Sequence, residues 1–145
     1  MRTAQVLLDL GGGIFLLLGL LHALYTCLDI RRPRRLVPKD PAVAIAMAES
    51  QLRLAGGRTT MWRAWVGFNF SHSLGVIVFG LVCLYAGMVL HTMVLSPWIL
   101  LTLVAVAFIY LALSLLYRFR TPTLGIALGT VCLFGAWMMY AAAVR

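Results

Sequence analysis

Four long apolar runs dominate the chain, at about residues 5–28, 64–90, 97–117 and 122–143. A helix crosses the hydrocarbon of a bilayer with about 20 residues, so each run suffices for one span. Four spans and one loop use up all 145 residues. The expected fold is therefore all-α, a single four-transmembrane-helix bundle over residues 1–145. Polar signals punctuate the runs. Arg31-Arg-Pro-Arg-Arg35 stops the first, Ser96-Pro97 caps the third, and Thr121-Pro122 starts the fourth after the tight turn Arg118-Phe-Arg120.

The segment between spans one and two carries its own helix signal. Asp40-Pro41 reads as an N-cap followed by proline in the first turn, and Gly56-Gly57 reads as the stop. Val43, Met47 and Leu54 cluster on one side, flanked by Ala55, while Glu49, Ser50 and Arg53 take the other. Glu49 and Arg53 stand at helical pairing distance. The pattern predicts an amphipathic helix over about 41–55 on the cytoplasmic face, either in the headgroup region or packed on the mouth of the bundle.

Small residues recur at helical spacing within the spans. Gly12, Gly19 and Thr26 repeat every seven residues on span one. Span two carries two such stripes, Gly67, Ser71 and Gly75 on one side and Ser73, Gly80 and Gly87 on another. Small residues let helix backbones approach closely, so span two is expected to be central and to touch at least two neighbours. Trp98, Trp137 and Tyr140 are expected at the outer interface, and Trp62, Trp65 and Tyr117 at the inner one.

Composition agrees with a membrane protein. Of the residues, 63% are hydrophobic and 11% charged, against about a quarter charged in soluble domains. The net charge of +8 raises nucleic acid as a partner, but its placement excludes it. Ten of the twelve Lys and Arg residues fall in the two loops on one side, from Arg31 to Arg63 and at Arg118 and Arg120; only Arg2 and Arg145 fall on the other. Lys and Arg are retained on the cytoplasmic face. The expected topology in the cytoplasmic (inner) membrane is multi-pass, with both basic loops inside and both termini outside. The expected partners are membrane lipids, anionic headgroups included, with a homo-oligomer left open. Cys27, Cys83 and Cys132 show no paired spacing and fit small packing residues better than a disulfide or CxxC metal framework. The first run is too long for a signal peptide, and no small-residue cleavage site precedes Arg31.

Candidate chemistry concentrates in Trp62-Arg-Ala-Trp-Val-Gly-Phe-Asn-Phe-Ser-His-Ser-Leu-Gly75, which carries Asn69, Ser71, His72 and Ser73 to lipid depth. Hydrocarbon offers such groups no partners, so the sequence is expected to provide them. Helical rise places His22 about 10 Å from Asp29 and His72 about 13 Å from Arg63. On antiparallel spans the two histidines meet at one level, nearer the cytoplasm. Trp65 and Asn69 share the face of His72; Tyr25 or Thr26, and Asp29, share that of His22. Tyr110 and Thr130 reach a similar depth. The expected site is a small pocket opening inward, lined by His22, Tyr25, Asn69, His72, Tyr110 and Trp65. Ser71, Ser73 and Thr130 are expected to bond their own backbones, and Asp29 to serve as an interfacial partner for nearby arginines.

No cofactor is expected. Bis-His haem at His22 and His72 is the one option the residues raise, but the small residues argue for helices too close to hold it. A closed four-ligand metal site lacks further Cys, Asp or Glu at that depth. No nucleophile spacing or phosphate loop is present. No acidic or basic residue stands at mid-membrane, which argues against a channel or pump.

Tyr25, Asp29, Trp62-x-x-Trp65 and Gly67-Phe-Asn-Phe-Ser-His-Ser-Leu-Gly75 together resemble an uncharacterised family of small bacterial four-helix integral membrane proteins. That resemblance implies a topology and no activity. The layout is also similar, more loosely, to the membrane-associated eicosanoid and glutathione metabolism proteins, four-span chains with a basic inner first loop. Arg63, Asn69 and Tyr110 are the loose counterparts of their polar residues, with His72 where that family has an acid. The leading expectation is a cytoplasm-facing His/Asn pocket for a small amphipathic or lipid-like ligand. The alternatives are an enzyme acting on a lipophilic substrate with His72 as acid or base, and a structural or assembly subunit whose polar residues tie helices together.

Overall fold

A computed structural model describes residues 2–53, 56–118 and 120–144, with His91 described by its backbone. The described residues are all-helical: α1 (Arg2–Arg31), α2 (Pro41–Glu49), α3 (Met61–Thr92), α4 (Pro97–Leu116) and α5 (Arg120–Ala143). α1, α3, α4 and α5 are long and apolar enough to cross a membrane. α1 extends at both ends beyond the expected span 5–28, and α3 beyond 64–90. Hydropathy marks only the apolar stretch, whereas the backbone ladder continues through Arg2, Arg31 and Met61 until another partner takes its hydrogen bonds.

α2 is shorter than the 41–55 expected. Its start follows the sequence signal: Asp40 accepts the Ala42 N–H at 2.9 Å, with proline in the first turn. Its end comes at Glu49, because Ser50 turns to extended backbone (φ −70, ψ 126) while its N–H closes on Ala46 O. An antiparallel ladder follows. Gln51 pairs with Thr60, Leu52 N–H donates to Thr59 O, and Met61 N–H donates to Ser50 O. Gly56 (φ +58) and Gly57 (φ +75) make the turn of that ladder, a left-handed conformation that glycine adopts without Cβ strain. The pair is thus not the stop of a long helix, and Glu49 and Arg53 do not share a helical face. Leu54 and Ala55, expected near the end of the helix, lie outside the described residues.

The chain divides into two compact units, Met1–Leu18 with Val76–Arg145, and Gly19–Gly75. α1 and α3 contribute a segment to each. In the first unit all four long helices supply the core: Leu8 and Phe15, Val76, Phe79 and Cys83, Leu103 and Ala107, Leu133 and Ala136. Glycine sets the spacing there. A Cβ on Gly80 would lie 2.5 Å from Leu16 N and 2.8 Å from Gly12 O, both backbone atoms. The Ser73, Gly80, Gly87 stripe is buried, while Gly67, Ser71 and Gly75 are exposed; a Cβ on Gly67 would meet nothing within 4 Å. Only one of the two expected seams is therefore packed within the chain.

Tyr140, expected at the outer interface, faces inward at the level of the α3–α4 turn. It is fully buried beside Ala4, Leu90 and Leu100, and its hydroxyl donates to Leu95 O. A buried phenol needs such an acceptor, and the carbonyl just before Ser96-Pro97 supplies it. Trp98 is exposed. The α4–α5 turn runs through Arg118 at φ +55, a left-handed position that a non-glycine residue occupies infrequently.

The second unit consists of the latter part of α1, the basic loop, α2, the ladder and the first part of α3. None of the α2 residues is buried. The polar candidates on α1 and α3 fall in this unit.

Candidate functional site

Helical spacing brings the polar groups of the second unit onto facing sides. His22, Thr26 and Asp29 follow one another on α1 at four- and three-residue steps, as do Trp65, Asn69 and His72 on α3. Each trio therefore shares a helix face. His22 Nε2 lies 3.0 Å from Asn69 Oδ1. The Asn69 Nδ2 donates in turn to Trp65 O at 2.8 Å, which fixes the amide orientation and leaves Oδ1 as an acceptor. The network thus assigns the proton of His22 to Nε2. Thr26 Oγ1 donates to His22 O at 2.9 Å and Ser73 Oγ to Asn69 O at 2.8 Å.

His72 meets His22 edge to face, with ring centroids 5.3 Å apart and planes at 79°. On its own helix it stacks on Phe68, one turn back, at 6.3 Å and 12°. Asn69 is buried and His22 half-buried, whereas His72 and Phe68 are exposed. A satisfied amide thus sits behind the exposed His72 ring.

The helix end below His22 is built by Asp29, which is buried at 3% exposure. Its carboxylate accepts the backbone N–H groups of Arg34 (3.1 Å), Arg35 (2.9 Å) and Leu36. Asp29 thus partners Arg34 and Arg35 through their backbone, and the charge of Arg35 also acts on its carboxylate. With the loop so turned, the Arg35 guanidinium lies over the Tyr25 ring, 4.6 Å from its centroid. The Trp65 indole N–H donates to Leu36 O at 2.8 Å, which ties the loop to α3.

Between these elements lies a narrow crevice with a cavity volume of about 10 Å³, lined by Thr26, Asp29, Ile30, Leu36, Trp62, Trp65, Val66 and Asn69. Ligand pockets commonly hold roughly 300–1,000 Å³, so this crevice has room for about one water and is not the expected pocket. Of the six residues expected around one pocket, Asn69 and Trp65 line it. His22, His72 and Tyr25 do not. Tyr110 belongs to the first unit and packs on Phe15 (6.0 Å) and Phe79 (5.8 Å). Thr130, in the same unit, donates its hydroxyl to Ile126 O and reaches Ala107 O. Ser71 bonds Phe68 O. These hydroxyls bond backbone carbonyls, as short polar side chains on helices commonly do.

The two histidines do not fit a bis-His haem as they stand. The macrocycle must lie between two imidazoles that ligate its iron from opposite faces, whereas these rings touch edge to face and His22 Nε2 is engaged by Asn69. Among the described residues, no group of three or more His, Cys, Asp or Glu side chains gathers into a metal site.

One polar relationship goes beyond the expected set. Asp9 lies in α1 between Leu8 and Leu10, about 10 Å along the helix from Arg2. Its half-buried carboxylate packs against Gly87 of α3, where a Cβ would overlap Oδ1. The signal was legible as a single acid inside an apolar run facing a glycine stripe.

Comparison with protein-family models, curated proteins and solved structures finds no match to this chain. The fold therefore defines a class and no more: an all-helical chain with four helices long and apolar enough to cross a membrane.

Proposed function

We propose that this chain is a multi-pass protein of the cytoplasmic membrane that binds a small amphipathic or lipid-like ligand at His22, Asn69 and His72. Both basic loops face the cytoplasm and both termini face outward, following the bias of Lys and Arg between the loops. α2 lies against the headgroups beside the first loop. The reading rests chiefly on one arrangement. An exposed His72 ring stands 5.3 Å from a His22 ring whose proton is held by the buried Asn69. Ionisable side chains in a spanning helix are costly unless they have partners, and they mark functional positions.

The test is the identity of what travels with the protein. Full-length protein is purified in a mild detergent, and co-purifying molecules are extracted and identified by mass. The expected result is a stoichiometric amphipathic species that is lost from His72→Leu and from His22→Leu, while both variants retain helicity. Retention of the same species by both variants refutes the site.

A second reading has its own support. Asn69 is buried and spends its amide on Trp65 O and His22, which is what a tie between α1 and α3 requires. If that tie is the whole role, replacing His22 lowers thermal stability and leaves the bound species unchanged.

A further inference from the structure

The loop after α1 turns back along the helix it leaves. Asp29 holds that turn through the backbone N–H groups of Arg34, Arg35 and Leu36, so its carboxylate is taken up by main chain. The Arg35 guanidinium lies over Tyr25, at 4.6 Å, with its charge also acting on the Asp29 carboxylate. Tyr25 is six residues inside the end of α1, about 9 Å along the axis. A cation that follows the helix in sequence is thereby returned to the level of its interior. A stacked guanidinium keeps an edge of N–H donors, whose planar fork matches phosphate. Arg35 is exposed, so that edge is accessible.

The next polar level is one turn further along α1. His22 is three residues from Tyr25, about 4.5 Å of rise, and beside it stand the exposed His72 and Phe68. Next along the two helices, within the same unit, stand the exposed apolar residues Leu20 and Leu74. The order is cation, then imidazoles, then hydrocarbon, with a few ångströms between the first two. An ester phospholipid presents the complementary order: phosphate, acyl-ester carbonyls, then tails.

We infer that the unit Gly19–Gly75 holds an anionic ester phospholipid, with its phosphate on Arg35 over Tyr25 and an ester carbonyl at the His72 ring. The inference rests on the ligand-binding reading above and gives that ligand its chemical class. Asp29 is the positioning residue, since it sets where Arg35 can reach.

Native mass spectrometry of the full-length protein in detergent tests it, with three probes: diester phosphatidylglycerol, its diether analogue, and diester phosphatidylcholine. Wild type is expected to bind one phosphatidylglycerol about fivefold more tightly than phosphatidylcholine, the effect of one arginine at an anionic surface. It is also expected to prefer the diester over the diether. Arg35→Gln should abolish the first preference alone, and His72→Leu the second alone. The loop survives Arg35→Gln because Asp29 binds the backbone of residue 35. Arg35→Lys keeps the charge and should return at least about twofold selectivity for the anion. Anion selectivity that persists in Arg35→Gln, or indifference of wild type to ester and ether, overturns the phospholipid. So does inorganic phosphate displacing the lipid by itself, since the anion is then the ligand. Each of these results leaves the His22/His72 site standing if the co-purified species still depends on those histidines. Loss of that dependence removes both readings together.

Discussion

His22 Nε2 and Asn69 Oδ1 stand 3.0 Å apart and join α1 to α3 within the unit Gly19–Gly75. Because Asn69 also donates to Trp65 O, the amide cannot turn to present its NH2 group to His22 without losing a bond. The pair thus fixes a helix contact and a tautomer together, and the His72 ring is presented beside it in one orientation.

A double-mutant cycle on His22→Ala and Asn69→Ala measures that bond. Interhelical polar pairs in membranes couple by about 0.6 kcal/mol on average and up to about 1.7 kcal/mol. A coupling in that range is expected from thermal or denaturant unfolding in micelles. Additive single effects would show that the pair contributes no interaction energy.

Asp29→Ala should release the loop. The carboxylate accepts from three successive backbone N–H groups, Arg34, Arg35 and Leu36, and bonds to charged acceptors contribute about 1.5–3 kcal/mol each. Amide hydrogen exchange at those three positions is expected to accelerate at least about tenfold, which corresponds to roughly 1.4 kcal/mol lost. Exchange at the core helices should not change. Unaltered exchange in the loop contradicts the carboxylate-built turn.

Gly80→Ala and Gly13→Ala separate close packing from glycine's helix penalty. At Gly80 the new Cβ meets backbone atoms of Leu16 and Gly12 at 2.5 Å and 2.8 Å, and at Gly13 it meets nothing within 4 Å. Overpacking of this kind costs about 1–3 kcal/mol, so Gly80→Ala should melt several degrees lower. Gly13→Ala should be neutral or stabilising by about 0.5–1 kcal/mol. Equal melting temperatures for the two would argue against backbone contact at Gly80.

Gly87→Ala should be destabilising because of Asp9 in particular. The methyl group would occupy the place of the Asp9 carboxylate oxygen. In an Asp9→Ala background the same substitution should cost less than about 0.5 kcal/mol, as distant or unhindered changes do. A penalty of the same size in both backgrounds would place the crowding elsewhere.

The early part of α2 was legible because Asp40-Pro41 is a local signal, read from side chain and backbone a few residues apart. Its end was not. Ser50 begins an antiparallel pairing with the segment across Gly56-Gly57, and that pairing depends on residues ten positions away. The same glycines serve a helix stop or a ladder turn equally well until their partners are known. Asp29 shows the same division. Its charge beside four arginines and a lysine suggested pairing with their side chains, yet three backbone donors in a tight turn hold it, with the Arg35 charge acting alongside.

The meeting of His22, Asn69 and His72 was legible in part. Trp65, Asn69 and His72 share a face through helical period alone, and equal depth follows from rise per residue. Which atom meets which did not follow, since a face spans many directions. Tyr110, equal in depth by the same count, is packed between Phe15 and Phe79, because depth says nothing of rotation about a helix axis.

From the chain alone came the helices, their number and their fitness for a bilayer, because hydropathy over about 20 residues is a one-dimensional property that no neighbour can alter. Tertiary structure decided which glycine stripe is packed, why Tyr140 is inside, where Arg35 returns, and that His22 holds its proton toward Asn69. Each of those depends on the rotation of one helix against another or on a loop closing over a few residues, and short-range contacts of about 3 Å, not average polarity, set such geometry.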